Sequence, residues 1–407
     1  KNTLDFSVEK IIESGDINNK SFAQKIVRPK EYIKNKFTTF YPIHKTIYTF
    51  SSNFFWSKNS NSLVVTPGVF DDLLNNGKPY ERVNQKVDNS NLFIEKSLGF
   101  IKRFKGITFD NDIAVIYDKQ NLNSEIFVDD DNILNNIEFI NDISLVDTKI
   151  RFTSKLQYNY KGYRIDTELP IRYSSINLMN TSLNVNNNNI KSAFFEPKIY
   201  LTKEFAKFFE FSLNGLQRYS FGRLNKFFSG YVLENYRRLI SYNPIIPVNK
   251  TIRAGLYVKY NNFNNGLYIK TSYNFSNILR NTTYEYNLKD EGVLEVNSFV
   301  QNLTSRNKSF YFQIKKNIDV LNLSINLNGS LSTDITPSIL NSSNVLNKTI
   351  NERFKLKFEY DLFDKLIMSF KSEMINDKTR LNDIDAQNQS SLNNTFGFNY
   401  TLNKYNV

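Results

Sequence analysis

The sequence predicts an all-β protein, namely an antiparallel transmembrane β-barrel of the outer-membrane type, with short periplasmic turns and long extracellular loops. Three observations favour this fold: strand-length stretches in which apolar and polar residues alternate, connections that are short and long in turn, and an aromatic yet polar composition. Aromatic residues make up 15% of the chain, and its mean hydropathy is -0.44. Such values suit apolar surface that is spread over alternate strand positions rather than gathered into a core. An AT-rich coding sequence would also enrich Asn, Lys, Phe and Tyr, so the pattern decides more than the composition.

The clearest alternation lies in residues 148–174. Ile150 and Phe152 fall on one face of the first arm, and Lys149 and Arg151 fall on the other, because side chains of a strand alternate between its two faces. A turn at residues 160–163 leads into a second arm with the same pattern. Each arm is about ten residues long, which is the length that a tilted strand needs to cross a bilayer.

The same hairpin design recurs along the chain, and long polar segments separate the hairpins. The recurrences are residues 98–115, 197–213, 252–275, 310–327 and 354–374, followed by a last arm at 392–400. The polar segments lie near residues 118–147, 175–191, 217–249, 279–307, 332–352 and 375–390. In an outer-membrane barrel the short turns face the periplasm and the long loops face outward. A soluble β-sandwich also alternates, but nothing in that fold sorts its connections by length.

Residues 1–90 show a weaker pattern than the rest. We expect an irregular segment with early barrel strands there, at residues 46–56 and 62–70, and barrel strands and loops over residues 91–407. No run of about eighteen apolar residues occurs, which excludes an α-helical membrane span.

Enzymatic chemistry is not predicted. The chain has no cysteine and only one histidine, His44, so thiol nucleophiles and disulfides are excluded and a catalytic triad has a single imidazole to use. We therefore predict no catalytic residue, no metal site and no cofactor. The formal net charge of +12 comes from basic residues scattered singly rather than gathered in a patch, so nucleic acid is not an expected partner. In a barrel these charges would face a wet interior, or would lie in loops near anionic lipid and lipopolysaccharide.

Two segments resemble those of a known family. The stretch from Gly230 to Leu239, with sequence GYVLENYRRL, is similar to a loop of the barrels of TonB-dependent outer-membrane receptors, especially those of the Bacteroidota type. The stretch from Leu169 to Tyr173, with sequence LPIRY, closes a hairpin as those barrels do. In that family a plug domain precedes the barrel, and an inner-membrane protein supplies energy through the plug.

The chain departs from this pattern, because it shows about fourteen to sixteen strands, no plug and no final aromatic strand. We therefore expect an incomplete barrel, with a complete smaller barrel as the alternative.

The resemblance implies uptake of a large scarce nutrient, such as a metal chelate, a peptide or a glycan, across the outer membrane of a Gram-negative bacterium. It implies a ligand-facing loop containing Tyr231, Tyr236, Arg237 and Arg238; the alternative for these residues is a packed external loop. Expected partners are outer-membrane lipid and lipopolysaccharide, an inner-membrane energy-transducing protein reached through a plug, and a surface lipoprotein. The alternative function is a structural or adhesive barrel that binds a partner through its long loops.

Overall fold

The fold is an almost unbroken succession of strands. A computed structural model describes residues 2–18, 23–129, 132–133, 137–181, 188–206, 208–222, 224, 227–242, 245–288, 294–363, 366–382 and 384–400. A single short α-helix, α1 (Asp71–Leu74), occurs in those ranges. The strands are β1 (Asn2–Asn18), β2 (Ala23–Ile43), β3 (Thr46–Thr66), β4 (Val83–Phe104), β5 (Ile107–Val128), β6 (Asn132–Ile133), β7 (Asn141–Tyr160), β8 (Tyr163–Asn180), β9 (Asn188–Phe195), β10 (Lys198–Phe205), β11 (Phe209–Ser220), β12 (Val232–Asn235), β13 (Arg238–Ile240), β14 (Asn249–Asn262), β15 (Leu267–Leu288), β16 (Leu294–Ile318), β17 (Leu323–Leu340), β18 (Ser343–Phe363), β19 (Leu366–Leu381) and β20 (Ile384–Tyr400).

The long strands form one sheet in which each pairs antiparallel with the next along the chain. The short strands β6, β12 and β13 stand outside this succession, and β9 and β10 are two halves of one strand that both pair with β8. Sixteen successive strands therefore remain in the described ranges, at the upper end of the number expected from the sequence. The described pairings include none between β1 and β20.

The break between β9 and β10 falls at Glu196 and Pro197. Proline has no backbone N–H to donate to a ladder, so it interrupts a strand that is otherwise paired on both sides. The Glu196 N–H still donates to the Pro170 carbonyl at 3.0 Å between the heavy atoms. The strand thus keeps its direction across the break.

The sheet curves around an interior. The Tyr236 N–H donates to Gln24 Oε1 on β2 at 3.0 Å, and the strand that begins two residues later, β13, pairs with β16. Along the sheet, β2 and β16 are ten strand spacings apart, or about 48 Å at about 4.8 Å each. Two residues of chain span at most about 7 Å, so the sheet must bend round to bring β2 and β16 to opposite sides of one cavity.

The predicted alternation is confirmed in the middle of the strands. Ile150, Phe152 and Ile171 are exposed on the outside by 51%, 46% and 51%, whereas Thr153, which follows Phe152, is 3% exposed and faces the interior. The same outward apolar positions recur around the sheet at Leu98, Phe100, Ile113, Ile199, Leu213, Ile252, Leu256, Tyr273, Phe310, Ile314, Phe354, Met368 and Phe396. An apolar outside around a polar inside is the arrangement of outer-membrane β-barrels, and the chain has that fold class.

Several predicted long loops are strands. Residues 332–352 contain the ends of β17 and β18 joined by residues 341–342, and residues 375–390 contain the ends of β19 and β20 joined by residues 382–383. The segments near 118–147 and 279–307 also consist mostly of strand. These strand ends extend beyond the apolar belt, where both faces are polar, so they lose the alternation by which a strand is recognised although the backbone ladder continues.

The strands β1 to β3 and the start of β4 cover most of the described residues among the first ninety. The two candidate strands at 46–56 and 62–70 belong largely to a single strand, β3, and β4 runs through residue 90 without a break. The irregular segment with early barrel strands expected over residues 1–90 stays a prediction. The separation of residues 1–90 from 91–407 stays a prediction, and residues 401–407 lie outside the described ranges. Among the described residues no helix has both the length and the apolar character needed to span a membrane.

Candidate functional site

The connection between β11 and β14 spans residues 221–248, and its described residues, called here the inserted segment, fold into the barrel rather than away from it. Phe227 is fully buried, and most of the apolar side chains around it are 8% exposed or less. These side chains are Phe221, Leu224, Phe228, Val232, Leu233, Leu239, Ile240, Tyr242 and Ile246. They pack in two clusters against inward residues of the wall, among them Leu63, Val83, Leu122, Ile126, Ile143, Ile176 and Phe194. The inserted segment is therefore packed like a protein core inside one end of the barrel.

A hairpin of β12 and β13 forms the centre of the inserted segment. Asn235 ends β12, and its Oδ1 accepts the N–H of Arg237 at 2.9 Å, which is a common way for asparagine to close a turn. Arg238 on the return strand pairs with Glu234 at 3.0 Å. The local sequence thus provides both the turn and a charge pair across it.

Amide side chains of the wall bind the backbone of the inserted segment on one side. Gln85 Oε1 accepts the Leu233 N–H at 3.0 Å, and Gln24 Oε1 accepts the Tyr236 N–H at 3.0 Å. Asn141 accepts the Gly230 N–H at 2.8 Å and donates to the Gly230 carbonyl at 3.1 Å. Gln85, Gln24 and Asn141 are all buried. Because buried backbone N–H groups need an acceptor, these three amides, called here the latch amides, hold the segment in place.

The opposite side of the inserted segment is bound by β16. β13 pairs with residues 294–296 in parallel, and the Ser241 N–H donates to the Val296 carbonyl at 3.2 Å. The Tyr242 ring meets the rings of Phe228 and Tyr284 edge-on, at 4.8 and 5.7 Å between centroids. The segment is therefore anchored on both sides and crosses the interior at the end where the longer connections lie.

The four residues predicted to face a ligand lie together in this hairpin. Tyr231 packs on Phe139 with 6.0 Å between ring centroids, and Tyr236 packs against the cluster that contains Leu233. Arg237 is exposed at the tip, 5.0 Å above the Tyr236 ring, and Arg238 is half-buried. Tyr231 and Tyr236 are thus packed against other side chains, as the alternative of a packed loop expects, but the loop lies inside the barrel. Contact with a ligand stays a prediction for these four residues.

Burial raises the pKa of two tyrosines at this end. Burial is the largest cause at Tyr242, the nearby Glu234 carboxylate adds to it, and together they raise the pKa of Tyr242 to about 12. Tyr80, in the connection between β3 and β4, is buried with its hydroxyl against the backbone of Val69, and burial raises its pKa well above the usual range. Both rings are held as neutral phenols near neutral pH.

Below the inserted segment, the inner wall of β4 to β10 carries paired charges around a cavity of about 520 Å³. Arg151 lies 2.8 Å from Glu95 and 3.8 Å from Asp112, and Arg172 lies 3.3 Å from Glu196. The remaining pairs are Lys149 with Asp147, Lys155 with Asp110, Arg164 with Asp166 and Lys198 with Glu168. The sequence placed Lys149 and Arg151 on the polar face, but which acid meets which base depends on the register between strands.

The single histidine of the chain lies in a short turn. His44 is exposed in the two-residue turn between β2 and β3, with a φ of 49°. Within the described ranges no three histidine or carboxylate side chains converge as metal ligands.

Comparison with known proteins gives matches of structure only. No family model and no curated protein matches the chain. The copper transporter OprC has a TM-score of 0.48 at 8% identity, over 91% of this chain and 73% of that one. The ferric-catecholate import receptor Fiu from Escherichia coli K12 has 0.49 at 10%, over 95% and 59%. The ferric yersiniabactin uptake receptor FyuA from Yersinia pestis has 0.41 at 8%, over 98% and 74%. The chain thus spans 59 to 74% of the length of these three proteins, and similarity at this level does not establish a shared family or function.

Proposed function

We propose that the chain is the barrel of an outer-membrane receptor that takes up a large scarce nutrient, and that the inserted segment closes its passage. The observation that carries this proposal is the combination of an apolar outer belt with a charged interior. One end of that interior is filled by the inserted segment. The proposed location is the outer membrane of a Gram-negative bacterium.

The outer belt supports the membrane location. A soluble protein rarely leaves a continuous belt of Phe, Ile, Leu and Tyr exposed, whereas hydrocarbon chains would cover it. A charged side chain at the bilayer midplane of a barrel costs about 2 to 4 kcal/mol. The charged residues Arg151, Lys155 and Arg172 all point away from the belt, into the interior.

The inserted segment supports the transport role. A barrel that served only as a support would need no folded chain across its interior. The latch amides are neutral and bind backbone groups, so the segment can be released without leaving a bare charge in the wall. The ligand class is a metal chelate, a peptide or a glycan, and the exposed tip at Arg237 with Tyr236, Tyr231 and Arg238 behind it is the proposed place of first contact.

Partners follow from the same proposal. Lipid and lipopolysaccharide would surround the belt, an inner-membrane energy-transducing protein would act through a plug, and a surface lipoprotein would cover the mouth. A structural or adhesive barrel is the second candidate, and it predicts that releasing the inserted segment opens no path.

The test releases the latch and measures leakage. Cells carrying Gln24→Ala/Gln85→Ala/Asn141→Ala should become at least fourfold more sensitive to vancomycin, which intact outer membranes exclude by its size. The matched control is Gln387→Ala/Asn388→Ala/Gln389→Ala, which removes three exposed amides from β20 and should leave sensitivity unchanged.

A reducible cross-link then reverses the effect. The chain has no cysteine, and Asn180 Nδ2 donates to Ser229 Oγ at 2.9 Å, so Asn180→Cys/Ser229→Cys brings two thiols near each other, and a short thiol-specific cross-linker with an internal disulfide should tie the segment to β8. Added to the latch variant, this cross-link should restore resistance until a reductant is supplied. A latch variant that reaches the membrane folded, as shown by its heat-dependent electrophoretic mobility, and yet admits no vancomycin would favour the structural or adhesive barrel.

A further inference from the structure

A second sector of the inner wall, on β14 to β19, is strongly basic. Its cations stand in adjacent rows of the ladder: Lys270 is in line with Lys355 through Gln313 and Asn328, and Lys315 is in line with Lys357 and Lys371 through Asn326. The set of Lys259, Lys270, Lys315, Arg353, Lys355, Lys357 and Lys371 is called here the basic wall. Each member is flanked along its strand by residues of the outward face, so the basic wall faces the interior.

Some of these cations are placed where they repel each other. Lys259 is directly opposite Lys270, and Lys357 is directly opposite Lys371. Like charges directly opposite on neighbouring strands destabilise a sheet. Folding alone therefore gives no reason for this arrangement.

Few carboxylates offset the repulsion. Lys357 and Lys371 pair with Glu359 and Glu373 at 2.5 Å, and Lys259 is 3.8 Å from Glu210. Lys270 instead lies between the Tyr257 and Tyr311 rings, at 5.6 and 5.7 Å from their centroids. Among the residues that the structure describes, Lys315, Arg353 and Lys355 have no carboxylate within ion-pair distance, although Glu373, the partner of Lys371, lies directly opposite Lys355 in the ladder. The basic wall thus keeps an excess of positive charge.

The surroundings suit a ligand with several anionic groups. The side chains of the basic wall are half-buried or exposed, so water and solutes reach them. Lys315 and Lys357 are two strand spacings apart, or about 10 Å, with Asn326 between them in the same row. The neighbouring row holds Gln313 and Asn328. The side-chain amides of these three residues can donate hydrogen bonds to ligand oxygen atoms. A single small anion would meet only one lysine, whereas a chain of linked carboxylates or phosphates would meet several.

We infer that the basic wall binds a small polyanion, a molecule with several carboxylate or phosphate groups. The inference deepens the proposed function, since it assigns a charge class to the transported nutrient and places its binding site partway along the passage. It requires only that solutes reach the interior, and does not require that they cross the membrane.

The test measures binding of inorganic tripolyphosphate to the detergent-solubilised chain by titration calorimetry. We expect saturable binding that weakens as salt rises, because it rests on charge. The variant Lys270→Gln/Lys315→Gln/Lys355→Gln should bind at least tenfold more weakly. The matched control Lys45→Gln/Lys105→Gln/Lys161→Gln removes the same charge from exposed short turns and should bind as the original chain does.

Two outcomes overturn the inference. Equal weakening in both triple variants would show a general effect of net charge. Absence of saturable tripolyphosphate binding to the original chain would show that the basic wall does not hold a small polyanion. Because no transport is measured, a failure here leaves the vancomycin result untouched, and both triple variants are checked for folding by the same electrophoretic shift.

Discussion

The two halves of the barrel wall use their inner faces differently. In the half from β2 to β11 the inner face is covered by the inserted segment at one end and carries paired charges below it, such as Arg151 with Glu95. The half from β14 to β20 contacts the inserted segment at β15 and β16, and elsewhere its inner face is basic, with an excess of cations over carboxylates. Both halves have the same apolar outward belt, which suits contact with lipid. Their inner faces differ because the first packs against most of the inserted segment, whereas most of the second is available for a ligand.

The difference separates residues that stabilise the fold from residues that are available for binding. A buried side chain such as Phe227 packs among buried neighbours, whereas Lys315 has no carboxylate within ion-pair distance among the described residues. Substitutions in the first half should therefore cost stability, and equivalent substitutions in the second half should cost little stability but alter binding.

The largest effect is expected for Phe227→Ala. It removes a ring that is 0% exposed and should destabilise docking of the inserted segment by about 3 to 5 kcal/mol, seen as faster hydrogen exchange at the Leu233 amide. The control Phe396→Ala, on the outward face of β20 at 72% exposure, should leave that exchange rate unchanged. Equal protection in both variants would mean that the segment is not held by this packing.

Alkaline pH should release the inserted segment. The folded pKa of Tyr242 is about 12, above the value of about 10 for an unfolded tyrosine, so its contribution is fully present below pH 10 and is lost as pH rises from 10 to 12. The loss is about 2 to 3 kcal/mol, at about 1.4 kcal/mol per pKa unit. Protection of the Leu233 amide should fall over this range, and less steeply in Tyr242→Phe. An identical pH profile in the two proteins would contradict the assignment.

The smallest effect is expected when the stability cost of removing one cation is compared between the two halves. Arg151→Met leaves Glu95 and Asp112 without their shared partner and should cost about 1 kcal/mol, since the pair is partly exposed. Lys355→Met breaks no ion pair and should change stability by less than about 0.5 kcal/mol. Urea unfolding in lipid vesicles, followed by the single tryptophan, Trp56, measures both. A larger cost for Lys355→Met than for Arg151→Met would reverse the comparison.

The fold could be predicted from the sequence where one face of a strand is apolar. Ile150 and Phe152 alternate with Arg151 and Thr153, and this pattern located β7, β8 and the later hairpins. It failed above the belt, as in β17 and β18, where the backbone ladder continues between two polar faces and leaves no periodic signal.

The candidate site was only partly predictable. The hairpin with Tyr231, Tyr236, Arg237 and Arg238 was singled out, but as an external loop. A signal for its burial was present, because adjacent apolar pairs recur through the inserted segment at 227–228, 232–233, 239–240 and 245–246, which is unusual for a solvated loop. The latch amides and the basic wall had no signal of their own, since they arise only when the register between strands is known.

The most direct test of the transmembrane barrel is a spin-label scan of residues 149–156 on β7, one cysteine at a time, in lipid vesicles. Because the chain has no cysteine of its own, each label reports a single position. The account predicts that labels at even positions such as 150 and 152 collide mainly with oxygen dissolved in lipid, and that labels at odd positions such as 151 and 155 collide mainly with a water-soluble nickel chelate. Collision rates that do not alternate, or contact with the nickel chelate at every position, would contradict the membrane-spanning barrel.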